Sequence, residues 1–100
     1  MKKYAIVFKP SAKKDLERMP KKERQSATAR IDSLVENPRP HWAEMTTGDL
    51  LGLWKFRVGD YRVAYRIEDN RLVVLVVAAG NRKEIYDVIR RMRGRYGEWP

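Results

Sequence analysis

The stretch Leu53–Arg66, LWKFRVGDYRVAYR, constrains the fold of this chain more than any other. Side chains point alternately to the two faces of a strand. Before Gly59-Asp60, Trp54, Phe56 and Val58 share one face, and Lys55 and Arg57 share the other. After it, Tyr61, Val63, Tyr65 and Ile67 share a face, opposite Arg62, Ala64 and Arg66. Gly59-Asp60 reads as a two-residue turn with Gly first, which suits a type II′ hairpin. Folded back on each other, the two strands bring their aromatic faces into one core and their cationic faces into register. The expected product is a sheet with one apolar face and one face of fixed positive charge, suited to holding a phosphodiester.

The rest of the chain fits around that hairpin. Lys3–Lys9 is apolar on both faces, which predicts a strand other than a simple exposed edge. Pro10 ends it, and Ser11 suits the N-cap of a helix over Ala12–Met19. Pro20 breaks that helix and suits the first turn of a second, Lys21–Glu36, with Ala27, Ile31, Leu34 and Val35 as its apolar stripe. Asn37-Pro38-Arg39-Pro40 stops it, and residues 38–50, which hold His41 and Trp42, read as irregular. Strands follow at Leu51–Val58 and Tyr61–Glu68, with a second tight turn at Asp69-Asn70. Arg71–Ala79 is nearly all Val, Leu and Ala, which predicts a central strand buried on both faces. Gly80-Asn81 breaks that strand, and a helix follows with Ile85, Val88, Ile89 and Met92 on one face. Residues 94–100, with Tyr96 and Trp99, read as a tail that is mobile or ordered by a partner. The order β-α-α-β-β-β-α defines a single α+β domain over residues 1–100. Its sheet is mainly antiparallel, with two N-terminal helices and one C-terminal helix.

Composition narrows the function classes. Lys and Arg number 22 against 13 acidic residues, a net charge of +9. Such a balance favours a polyanion or an acidic protein as partner, without choosing among RNA, DNA and protein. With no cysteine, disulfides, thiol nucleophiles and thiolate metal sites are excluded. The longest apolar run, Leu72–Ala79, has the length of a buried strand and cannot cross a bilayer. The opening MKKYAIVFKP is too short in its apolar part for a signal peptide, so a cytoplasmic location is expected. There is no P-loop, no GxGxxG, no HExxH and no serine elbow. His41 is the sole histidine and reads as an ordinary loop residue. Acidic residues are scattered, where a two-metal nuclease needs them clustered.

The cations remain. On spacing alone, Lys55, Arg57, Arg62 and Arg66 are equally a solvated sheet face. Like charges side by side are a poor stability device, however. Arg82 and Tyr86 also lie just past the buried strand, where a helix start aims side chains over the sheet. In these motifs the chain resembles the RelE/ParE toxin superfamily, more closely its RelE branch of ribosome-dependent messenger-RNA endonucleases. The resemblance is carried by Asn37-Pro38-Arg39, by Leu53–Tyr65 with its Tyr61-Arg62-Val63-Ala64-Tyr65 segment, and by Gly80-Asn81-Arg82-Lys83-Glu84-Ile85-Tyr86. The YR-x-x-Y pattern runs through the whole superfamily. Lys55 and Arg57 with Arg82 and Tyr86 are the discriminating part. Lys55 matches the first basic position of RelE-like enzymes, Arg57 the second (where the best-known pattern has Lys), and Arg62, Arg82 and Tyr86 the other three. Other ribosome-dependent relatives use a Glu and His pair, whose equivalents the sequence does not display.

The resemblance implies a toxin of a type II toxin–antitoxin system that cleaves messenger RNA in the ribosomal A site without metal or cofactor. A 2′-OH attacks the adjacent 3′ phosphate, leaving a 2′,3′-cyclic phosphate and a 5′-OH. In that scheme Lys55 is the base, its charged form disfavoured by neighbouring cations. Arg57 and Arg62 hold the phosphate. Arg82 stabilises the leaving 5′ oxygen electrostatically, and Tyr86 stacks on or orients the neighbouring base. The implied partners are a cognate antitoxin, the ribosome and its message, and no membrane. Two other classes fit the charge: a ParE-like gyrase inhibitor, and a non-catalytic RNA-binding domain using Trp54 or Tyr86 as a stacking platform.

Overall fold

The computed structural model describes residues 3–45 and 52–93. Its elements are β1 (Ala5–Phe8), α1 (Pro10–Glu17), α2 (Lys21–Ser33), β2 (Glu44–Met45), β3 (Trp54–Val58), β4 (Tyr61–Glu68), a 3-10 turn at Asp69–Arg71, β5 (Val73–Asn81) and α3 (Arg82–Arg93). The strands form one sheet in the order β1-β5-β4-β3-β2, parallel only between β1 and β5. This is the expected α+β arrangement with one strand added. The tail 94–100, and the side chains of Ile89 and Met92 expected on the apolar face of α3, lie outside the described residues.

The β3–β4 hairpin forms as its alternation requires. Val58 pairs with Tyr61, Arg57 with Arg62, Phe56 with Val63 and Lys55 with Ala64. Gly59 has φ +59° while Asp60 does not enter the positive-φ region, as a type II′ turn demands. Between β4 and β5 the register shifts, so that Ala64 faces Ala78 but Tyr65 faces Val76. The extra residue, Val77, makes a β-bulge that rephases the strand. Val74, Val76 and Ala79 consequently enter one core, and Leu75, Val77 and Ala78 another.

The larger core lies under α1 and α2, where Leu16, Met19, Ala27, Ile31 and Leu34 meet Phe56, Val63, Tyr65 and Val76. The smaller one joins Leu53, Ala64 and Leu75 to Ile85 of α3. The second sheet face is therefore not uniformly cationic, as alternation in the hairpin alone implied. It is apolar where α3 covers β5, and cationic only toward β3 and the turn end of β4. Arg66 lies away from that end and pairs with Glu68 at 3.2 Å.

Other expectations are corrected locally. β1 is an edge strand, with Val7 44% and Phe8 37% exposed, because β5 offers it one free side and nothing pairs beyond it among the described residues. Only Tyr4 and Ile6 of that segment pack on the larger core. Helix α1 begins two residues earlier than expected, with Lys9 as N-cap and Pro10 in the first turn, where a missing N–H is harmless. Pro20 is itself the N-cap of α2, which ends at Ser33. Glu44 and Met45, read as irregular, pair with Lys55 and Trp54 along the open edge of β3. Among the described residues no helix is long and apolar enough to cross a membrane.

Gly80-Asn81 does not break β5, which runs directly into α3. Asn81 Oδ1 accepts the Glu84 N–H at 2.9 Å, and Glu84 Oε1 accepts the Asn81 N–H at 3.1 Å, a reciprocal capping box. Asn81→Ala should lower unfolding free energy by about 1 kcal/mol, read from denaturant titration. An unchanged midpoint would mean that the cap contributes nothing.

A cationic cleft as candidate active site

Three elements converge at the turn end of the hairpin. Lys55 and Arg57 stand two residues apart on β3, and Arg62 sits directly across from Arg57 on β4. On α3, Arg82 and Tyr86 are one turn apart and so share a helix face. Gly80, which pairs with Arg62, is buried with no side chain on that face. All five predicted residues line one cleft of about 490 Å³. A neighbouring cleft of about 450 Å³ shares Arg57, Arg62 and Arg82 and adds Gly59, Asp60, Asn81 and Lys83. The three arginines thus stand between two hollows.

Lys55 Nζ donates to the Tyr86 hydroxyl at 2.8 Å and stands 5.4 Å from the centroid of its ring. That hydrogen bond lowers the Tyr86 pKa from its ordinary value; burial opposes the shift, and the charges of Lys55, Arg62 and Arg82 reinforce it. In a spectroscopic titration Tyr86 should ionise ahead of Tyr4 and Tyr65, both of which are shifted upward. Lys55→Met should move it back up. A titration that Lys55→Met leaves unaltered would break the pairing of the two side chains.

The other wall comes from the stretch that runs from the end of α2 into β2. Its His41, Trp42 and Glu44 also line the cleft. Trp42 packs edge-on against Phe56, with ring centroids 5.2 Å apart. The Arg30 guanidinium lies 5.1 Å over Trp42 and donates to the Arg57 carbonyl at 3.2 Å. Upstream, Arg39 makes two hydrogen bonds to Asp69, at 3.2 and 2.7 Å, and Tyr4 donates to the same carboxylate at 2.7 Å. The buried Tyr65 hydroxyl donates to the Pro38 carbonyl at 2.8 Å. Trp54, the other candidate stacking platform, packs on the larger core with Arg39 5.9 Å above it, and is not part of the cleft.

Sequence reasoning missed Glu44 and the cleft-lining place of His41. A two-residue strand is too short to show a period, and nothing local links position 44 to Lys55. Glu44 Oε1 lies 3.6 Å from Lys55 Nζ. It is the only carboxylate lining the cleft among the described residues.

This sequence and this fold match known proteins. Residues 6–86 fit the family model of the ParE toxin of type II toxin–antitoxin systems, parDE. The chain belongs to that family, within the RelE/ParE superfamily, and is a toxin of the type II class. Toxin RelE of Mycobacterium tuberculosis is 31% identical over 84 residues, covering 83% of this chain and 86% of its own. In the toxin–antitoxin complex RelBE2 of the same organism, a chain 25% identical covers 80% of this one and 99% of itself, with a TM-score of 0.69. The archaeal RelE–RelB complex of Pyrococcus horikoshii gives 28% identity, 82% and 97% coverage, and a TM-score of 0.66.

Proposed function

We propose that this toxin is a ribosome-dependent endoribonuclease that cleaves messenger RNA in the A site. The observation that supports it best is the convergence of Lys55, Arg57, Arg62, Arg82 and Tyr86 on one cleft. In this reading the 2′-OH gives its proton to the uncharged amine form of Lys55 and its oxygen attacks the 3′ phosphate. The bond to the 5′ oxygen breaks, leaving a 2′,3′-cyclic phosphate and a 5′ oxygen that takes up a proton from water. Arg57 and Arg62 carry the charge of the pentavalent phosphorane, where fixed donors act most strongly. Arg82 balances the leaving oxygen as a permanent cation. Tyr86, hydrogen-bonded to Lys55, orients the adjacent base and keeps the amine aimed into the cleft. The ribosome supplies the in-line geometry.

The test is incubation of the toxin with programmed ribosomes, with analysis of the product ends. A cyclic phosphate and a 5′-OH, formed equally when free metal is chelated and the ribosome kept intact, are expected. The partner in this reading is an antitoxin, as in the RelE–RelB complexes of the solved relatives. A net charge of +9 favours an acidic one. One observation favours a second reading: the matching family model is that of ParE toxins. Gyrase-dependent DNA breaks with no message cleavage would select a gyrase inhibitor. Ribosome binding with neither outcome would select a non-catalytic RNA-binding domain.

A further inference from the structure

We propose that Glu44 is a positioning residue that holds Lys55 against Tyr86 in the cleft; the inference rests on the endonuclease reading above. The β2–β3 register sets Glu44 directly across from Lys55, so both side chains rise from the same sheet face. Glu44 Oε1 is 3.6 Å from Lys55 Nζ, while the Tyr86 hydroxyl takes a hydrogen bond from that nitrogen at 2.8 Å. The amine is thus held from two elements, β2 on one side and α3 on the other. It needs such holding. A lysine side chain is a flexible four-carbon stem, and here it shares a cleft with three arginines whose like charge pushes it outward.

Two simpler roles for Glu44 fit less well. Its side chain is 73% exposed, and an ion pair so open contributes little to folding. It is also the only carboxylate lining the cleft among the described residues, so it opposes rather than assists the binding of a phosphate. An acid that weakens the binding of the polyanion and adds little to the fold is accounted for by what it does to Lys55.

The experiment compares Glu44→Ala, Glu44→Asp, Lys55→Ala and the double variant Glu44→Ala/Lys55→Ala. Single-turnover cleavage on programmed ribosomes and ribosome affinity are measured for each. Glu44→Ala should cleave about fivefold more slowly, the most that so exposed a pair can add to the aiming of the amine. It should bind ribosomes as tightly as the parent or more tightly, and melt at the same temperature. Glu44→Asp should recover part of the rate. The double variant should be no slower than Lys55→Ala, since Glu44 acts only through that amine. A parental rate in Glu44→Ala would overturn the proposal. So would losses that multiply in the double variant, which would mean that Glu44 acts on its own. A readout independent of catalysis separates this inference from the endonuclease reading. Releasing Lys55 should raise the Tyr86 titration in Glu44→Ala, and an unmoved titration overturns the positioning role whether or not the parent cleaves RNA.

Discussion

In the endonuclease reading proposed above, alanine at Arg62 is expected to slow message cleavage by about 10²–10³-fold and to end translation arrest while leaving the domain folded. Arg62 lies directly opposite Arg57, and like charges facing each other across two strands are unfavourable. Its partner on the other side, Gly80, has no side chain with which to pair. Removing the guanidinium therefore relieves repulsion, and the melting temperature should hold or rise. The proposed reaction would lose a fixed cation at its phosphorane, and loss of one such donor typically slows chemistry by about 10²–10³-fold. The pH dependence should keep its shape, because a guanidinium does not titrate in the working range. Lys55→Ala should behave differently. If Lys55 takes the 2′-OH proton, its removal slows cleavage and flattens the rise of rate with pH. Single-turnover rates across pH, with thermal melts of the same variants, provide the check. A collapsed melt for Arg62→Ala would put the residue in the fold rather than the site. A parental pH profile for Lys55→Ala would leave the site working by charge and orientation alone.

Among the described residues, Tyr65 should give the largest loss of stability. Its ring is fully buried in the larger core, 6.2 Å from Phe56 between centroids. Its hydroxyl donates to the Pro38 carbonyl at 2.8 Å, which ties the segment after α2 to the middle of the sheet. Tyr65→Ala removes the ring and leaves a cavity, a change that usually costs about 3–5 kcal/mol. That is a large share of the roughly 5–15 kcal/mol that holds a small domain together. Tyr65→Phe keeps the ring but strands the carbonyl, for about 1–3 kcal/mol. Burial also raises the Tyr65 pKa above its ordinary value of 10.0. The unfolded chain then ionises first as pH rises. Stability from this group is whole below pH 10.0 and is lost above it, as the pH climbs toward the folded-state value. Tyr65→Phe should accordingly lose less stability than the parent between neutral and strongly alkaline pH. Urea titrations at several pH values test both effects, and a Phe variant as stable as the parent would remove the hydrogen bond from the account.

Much of the fold was legible because it rests on short-range pattern. The hairpin from Trp54 to Glu68 follows from strict alternation and one glycine, and its register fixes Arg57 opposite Arg62. The run of Val, Leu and Ala in β5 announced a strand buried on both faces. Local signals were less safe at boundaries. Pro10 and Pro20 punctuate the chain where expected, but each enters its helix start by a different route from the one foreseen. The capping pair Asn81 and Glu84 was present in the sequence as an N-x-x-E signature, yet the preceding glycine pointed toward a break.

The sequence by itself determined the residue types of the cleft and the faces of β3 and β4 from which three of its cations rise, since alternation needs no long-range contact. Tertiary structure alone decided the rest. Sheet order put β1 at an edge although its residues are apolar on both faces. The bulge at Val77 and the loopless passage from β5 into α3 swung Arg82 and Tyr86 over the hairpin, bringing Tyr86 within 2.8 Å of Lys55. Pairing of two residues along the open edge of β3 brought Glu44 to the same amine. These placements depend on contacts between elements far apart in the chain, whose partners are chosen by which edges and faces remain free after the hairpin has formed. No period within a single element records that choice.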